Sequence, residues 1–136
     1  MNYFLAKTEP TTYSIDDLER EQRTAWDGVT NAQAVRAIRA MRPGDRVFIY
    51  HSGGVSSVVG IGVVDSPPRD DPRNAKSAVV DLAFVGRLDP PVTLKEIKES
   101  REFEDWALVR QGRLSTMSAP EKFVAWMRKR HPAANI

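Results

Sequence analysis

Two glycines inside an otherwise β-branched run restrict this chain more than any other feature. Arg46-Val-Phe-Ile-Tyr-His-Ser52, the pair Gly53-Gly54 and Val58-Val-Gly-Ile-Gly-Val-Val64 read as strand, turn and strand, because β-branched and aromatic side chains suit a pleated surface and glycine suits the reversal. Gly60 and Gly62 take side chains away from the second strand. That fits a place where another backbone or a ligand comes close, or where a curved wall must bend.

Shorter elements surround this hairpin. Tyr3 to Lys7 reads as an opening strand that Glu9-Pro10-Thr11-Thr12 ends, since proline donates nothing to a ladder. Ser14 is placed to cap a short helix with Asp16 and Asp17 in its first turn and Ile15 and Leu18 facing inward. Asn31 is a second cap candidate, and Val35, Ile38 and Met41 recur opposite Arg36, Arg39 and Arg42 until Pro43-Gly44 stops the helix. Asp65 to Lys76, with three prolines and many charges, reads as an exposed, mobile loop. Ala78 to Leu88 reads as a strand broken by Asp89-Pro90-Pro91. Thr93 with Glu96 and Ser118 with Glu121 read as capping boxes for two further helices, the last turning Phe123, Trp126 and Met127 inward. With no repeat and no β-α-β rhythm, the expectation is a single α+β domain over residues 1–136, built on a small, strongly bent sheet or barrel.

Composition removes several kinds of chemistry. There is no cysteine, hence no disulfide or thiolate, and with only His51 and His131 no transition-metal site is expected. The start carries no basic and apolar leader, and Val58–Val64 is too short to span a bilayer, so no membrane association and a cytoplasmic or nuclear location are expected. Net charge is only +2, although arginine supplies 14 of the 20 basic residues. That balance favours forked recognition of phosphate or carboxylate over diffuse attraction to nucleic acid.

The chemistry-bearing stretch is Trp26-Asp27-Gly28-Val29-Thr30-Asn31, joined by Tyr50-His51-Ser52. A large aromatic beside compact hydrogen-bonding groups suits a flat ligand with a polar edge, such as a nucleobase. Each residue also admits a structural reading. Trp26 is equally at home in a core; Lys7 and Glu9 share a strand face and can form an ion pair; Ser14 and Asn31 serve as caps; His51 and Ser52 serve a strand end and its turn. Arg36, Arg39 and Arg46 read either as phosphate contacts or as a solvated face, and Arg128-Lys129-Arg130 as a helix C-terminus or an extension of a nucleic-acid track.

Taken in order, Lys7-Thr8-Glu9-Pro10 with Tyr13-Ser14, Trp26 to Asn31, Met41-Arg42-Pro43-Gly44-Asp45, Tyr50-His51-Ser52, Pro91-Val92-Thr93-Leu94 and Arg113-Leu114-Ser115 resemble the EVE domain family nearly end to end. The resemblance implies a PUA-like mixed β-barrel of about five to six strands with short surrounding helices, related to YTH domains. It implies a non-catalytic module that binds DNA or RNA through a modified base, such as a modified cytosine; beside it, no cofactor and a monomer are expected. Carried over, Trp26 is the pocket aromatic, with Lys7, Glu9, Ser14, Val29, Asn31, His51, Ser52, Arg113, Leu114 and Ser115 around it. Two positions depart from the family: Phe4 stands where Trp is frequent, and Thr30 where Arg is common.

A base inside a duplex shows no free face, so such a reader takes a single-stranded or flipped base. Stacking is worth about 1 to 3 kcal/mol, one buried methyl only about 0.8 kcal/mol, so strong selectivity demands contacts to the base edge. The competing enzyme reading is a small nuclease or nucleotide hydrolase with His51 as base, Glu9 as acid and Lys7 or Arg113 stabilising charge. Against it stands the lack of any phosphate-binding glycine loop or zinc-deaminase pattern. A protein-interaction scaffold is a third class.

Overall fold

The computed structural model describes all residues, Met1–Ile136. The hairpin stands at the middle of one mixed sheet: β3 (Arg46–His51) pairs antiparallel with β4 (Ser57–Val64), from Arg46↔Val63 to His51↔Ser57. β1 (Tyr3–Thr8) lies parallel to β3, Tyr3 opposite Arg46 and Thr8 opposite His51. The reason for the two glycines is close approach of a neighbouring strand. A Cβ on Gly60 would sit 2.9 Å from the Gly86 carbonyl oxygen and 2.4 Å from Ile15 Cδ1, and one on Gly62 would sit 3.1 Å from the Ala83 carbonyl.

The strand that comes so close is β6 (Asn74–Thr93), 20 residues long. It pairs with β4 on one side and with β2 (Arg23–Trp26) on the other. Its length corrects two sequence expectations. Asp89-Pro90-Pro91 does not end the strand: Val58 faces Val92 and Gly60 faces Arg87, so Leu88 to Pro91 bulge opposite Val59 alone, with the Asp89–Pro90 peptide cis. Prolines in a bulge need donate no ladder hydrogen bond. Nor is Asp65 to Lys76 a plain loop, because β5 (Arg69–Asp71) folds onto the start of β6 as a charged hairpin. Asp81 on β6 receives both Arg69 and Arg23, at 2.9 and 2.8 Å, which ties that hairpin to β2.

Five helices complete the chain. α1 (Ile15–Glu21) starts at Ser14, where a reciprocal capping box forms with Asp17, and α2 (Ala32–Ala40) starts at Asn31. α3 (Leu94–Ser100) is capped by Thr93, whose hydroxyl accepts the Glu96 N–H at 3.1 Å, though the return bond of the expected box, from the Thr93 N–H to the Glu96 side chain, does not form. α4 (Ala107–Arg110) precedes β7 (Thr116–Ser118), which pairs antiparallel with β1. α5 (Glu121–Arg130) begins at Pro120 rather than at the expected Ser118 box. Ser118 is taken by β7, opposite Phe4, and is out of capping position. Phe123 and Met127 are buried and Trp126 half-buried.

The sheet holds seven strands in the order β2-β6-β4-β3-β1-β7, with β5 attached to β6. It is α+β and strongly bent, but the ring expected from five to six strands stays open: β2 and β7 are its edges and do not pair. Helix α2 packs on β6 near one edge and on β7 at the other. One continuous apolar cluster fills the interior, Phe4 included.

Candidate ligand cleft

The open seam of the sheet is where the chemistry collects. A cleft of about 570 Å³ opens there, within the range of small-ligand sites. One wall is the end of β2 and the turn after it, Thr24 to Val29; the other is Lys7 and Thr8 of β1 with Ser115, whose carbonyl accepts the Lys7 N–H at 2.8 Å. Thr12 and Tyr13 close one end.

Each wall is fixed by local bonds. The Thr8 hydroxyl donates to the Tyr13 carbonyl at 2.7 Å, while the N–H groups of Thr12 and Tyr13 both donate to the Glu9 carbonyl at 2.9 Å. The Tyr13 hydroxyl in turn donates to Glu21 Oε1 at 2.9 Å. Its ring stands perpendicular to Trp26, at 89° with centroids 6.1 Å apart. Across the cleft Gly28 takes a φ of +77°, a turn conformation that favours glycine. The Ser77 hydroxyl of β6 donates to the Val29 carbonyl and anchors the turn.

Charge in the cleft is sparse. Lys7 Nζ donates to the Gly112 carbonyl at 3.0 Å and lies 5.5 Å from the centre of the Tyr50 ring. Burial lowers its pKa from the ordinary lysine value. Asp27, exposed at the lip, is the one carboxylate of the lining.

Of the sequence-predicted site residues, Lys7, Trp26, Val29 and Ser115 line this cleft. Arg113 is exposed on the same loop as Gly112 and makes no ion pair, while Leu114 beside it is buried in the core. Ser14 and Asn31 are occupied as caps: Ser14 Oγ accepts the Asp17 N–H, and Asn31 Oδ1 accepts those of Gln33 and Ala34. Glu9 is exposed and contributes its backbone carbonyl rather than an ion pair with Lys7. Ser52 bonds the Thr8 carbonyl through its N–H at 3.0 Å and its hydroxyl at 3.4 Å.

His51 faces the helix rather than the cleft. Its Nε2 accepts the Ile15 N–H at 3.0 Å, and burial lowers its pKa, with Arg87 acting in the same sense and Asp16 against. With that lone pair engaged and Glu9 turned outward, the acid–base set of the nuclease reading does not assemble. The three arginines likewise do not form one track. Arg36 is exposed on α2, Arg39 is tied to Asp70 at 2.9 Å and to the Ser77 carbonyl, and Arg46 lies opposite Tyr3. Four strand positions, about 13 Å, separate Arg46 from the Lys7 level.

Residues the sequence reading passed over include Thr8, Thr12, Tyr13 and Thr24. Thr24 was findable only with β2 in hand, since it shares a strand face with Trp26. Tyr13 carried a signal in its place just before a helix cap, where a side chain packs back on the chain's entry.

The molecule is thus an α+β protein built on a bent mixed sheet, with an aromatic, sparsely charged cleft in its open seam. The chain belongs to the EVE domain family, whose sequence profile matches residues 2–130. Among curated relatives, thymocyte nuclear protein 1 of Rattus norvegicus is 34% identical over 125 residues, covering 71% of this chain and 55% of that protein. The chain thus spans little more than half the length of the curated relatives it matches. Among solved structures, a protein of Agrobacterium tumefaciens is 33% identical with a TM-score of 0.91, over 100% of this chain and 97% of that one. Human THYN1 protein, solved in complex with 5-methylcytosine-containing DNA, shares the fold at a TM-score of 0.86 and 24% identity, over 95% and 96% of the two chains.

Proposed function

We propose that residues 1–136 form one monomeric, non-catalytic nucleic-acid-binding module that takes a single modified nucleobase, extruded or single-stranded, into the seam cleft. The observation that carries this reading is the cleft itself: paired aromatics, two hydroxyl-bearing edges and one cation around a space with ample room for a nucleobase. Family membership and the methylcytosine complex of the human relative support a modified cytosine as the base. No observation favours the hydrolase reading.

Charge supports local rather than diffuse binding. Seven of the fourteen arginines, Arg20, Arg23, Arg39, Arg69, Arg87, Arg110 and Arg130, are engaged with carboxylates, and with a net charge of only +2 the overall field on a phosphate backbone is weak. The deciding experiment is a fluorescence-anisotropy titration of single-stranded DNA and RNA carrying 5-methylcytosine or cytosine at one position, across a range of salt. The expected result is preference for the modified base in one of the two backbones, with a log–log salt slope of only about −1 to −2, the release expected for one to three phosphates. Equal affinity for modified and plain strands of both kinds would overturn the reading.

A further inference from the structure

The way Trp26 is buried assigns it a different task from the one its presence in an aromatic cleft suggests. The side chain belongs to the apolar cluster and only 9% of the residue is exposed, about 20 Å². That is a fraction of one indole face, too little for a base to lie flat upon.

Its polar atom is free. Trp26 Nε1 has no hydrogen-bond partner within the protein, and no side-chain nitrogen or oxygen shut off from solvent lacks one, so this N–H is open to solvent on a residue that lines the cleft. Trp106, equally exposed, donates its own N–H to the Ser118 carbonyl at 2.9 Å. Tyr13, by contrast, is half-buried on the cleft wall, with its hydroxyl already bonded to Glu21. Its ring is perpendicular to the indole. The indole plane is therefore perpendicular to a base flat on Tyr13, and an N–H that runs along the line the two planes share meets that base edge-on. That in-plane direction is the one along which ring nitrogens and carbonyls accept.

Resting on the nucleobase reading above, we infer that Trp26 recognises its ligand as a hydrogen-bond donor and that Tyr13 is the stacking surface. The ligand class is a heterocycle with an unblocked acceptor on the edge that enters the cleft, such as the O2 and N3 edge of a cytosine. An edge lacking an acceptor would leave the indole N–H desolvated without a partner, which is the larger penalty in recognition.

Two measurements test this. The first is affinity for a short single-stranded DNA carrying one 5-methylcytosine. Trp26→Phe, which keeps an aromatic ring and removes the donor, is expected to weaken binding about tenfold. Tyr13→Leu is expected to weaken it by on the order of tenfold or more, and Tyr13→Phe to leave it essentially unchanged. The second is the indole N–H spectrum of the unaltered protein. The Trp26 signal should exchange with solvent far faster than that of Trp106, and should move downfield when the strand is added. Unaltered affinity in Trp26→Phe, or a Trp26 N–H as protected as that of Trp106 in the free protein, overturns the donor role. If the unaltered protein binds no strand at all, the nucleobase reading falls, and the exchange rates alone then decide whether the cleft offers a free donor.

Discussion

Trp26 and Trp106 are each 9% exposed, and both sit in the same apolar cluster. Around Trp106 every capacity is used. Its ring lies 4.5 Å from Phe123 and 6.1 Å from Phe103, and its N–H is taken by the Ser118 carbonyl of β7, so it locks α4 and α5 to the sheet edge. Around Trp26 there is one aromatic neighbour, Tyr13, and an indole N–H with no internal partner. Equal burial thus conceals a difference in what is left over. A side chain whose polar atom is satisfied internally stabilises the fold, whereas one whose polar atom opens into a cleft keeps a contact in reserve.

The sharpest way to break that contrast is truncation. Trp106→Ala is expected to cost about 3 to 5 kcal/mol, the range for removing a large aromatic from a filled core, and to strand the Ser118 carbonyl as well. Trp26→Ala should cost less, because one side of its cavity is already open. Urea unfolding of both variants decides it, and a larger loss at residue 26 would end the comparison. Phenylalanine at each position isolates the hydrogen bond. Trp106→Phe should lose about 1 to 3 kcal/mol from an acceptor left without its donor, while Trp26→Phe loses no internal bond and should fall short of that.

The same contrast explains what could be read from the chain beforehand. Strand and helix identities that depend on local pattern were legible: Tyr3 to Lys7, the glycine hairpin, the Ser14, Asn31 and Thr93 caps. Gly60 announced a close approach, though not that Gly86 and Ile15 were the residues approaching. What escaped was set by pairing between distant segments. β2 is four residues with no alternation of its own and exists because Val80 to Ala83 offers it a partner, while β5 is charged along its length and is held by backbone bonds. The cleft inherits this. Lys7, Trp26, Val29 and Ser115 were nameable singly, but Thr24 and Tyr13 become wall residues only once β2 and the open seam are known.

A smaller effect tests how the cleft's end is held in place. His51 fastens the first N–H of α1 and therefore the segment that carries Tyr13. Its folded-state pKa lies below the ordinary 6.5 because of burial. The unfolded chain therefore binds the proton more readily, so this contribution is complete above about pH 6.5 and is lost as pH falls through the lower folded value. His51→Leu should cost about 1 kcal/mol at pH 7.5 and should flatten the decline in stability in the window that opens as pH falls below about 6.5. Carboxylates held low, such as Asp17 and Asp81, lose their contribution only in more acidic solution. Parallel stability curves for the two proteins across that window would remove His51 as the source.

The smallest change in stability should accompany a large change in binding, at Lys7. Its ammonium is half-buried, bonded once to the Gly112 carbonyl, and disfavoured by desolvation, as its lowered pKa records. Loss of a group that the fold holds at a cost need not destabilise: Lys7→Met keeps the unbranched stem over Tyr50 and removes the charge. Stability at pH 7 should therefore stay within about 0.5 kcal/mol of the unaltered protein or rise, while affinity for the 5-methylcytosine strand falls about tenfold with the lost charge-assisted donor. Hydrogen exchange at Leu114 and Ser115 reports whether the Gly112 loop has loosened. If stability falls by as much as in Trp106→Phe while binding is untouched, Lys7 belongs with the spent side chains of the core rather than with those kept in reserve.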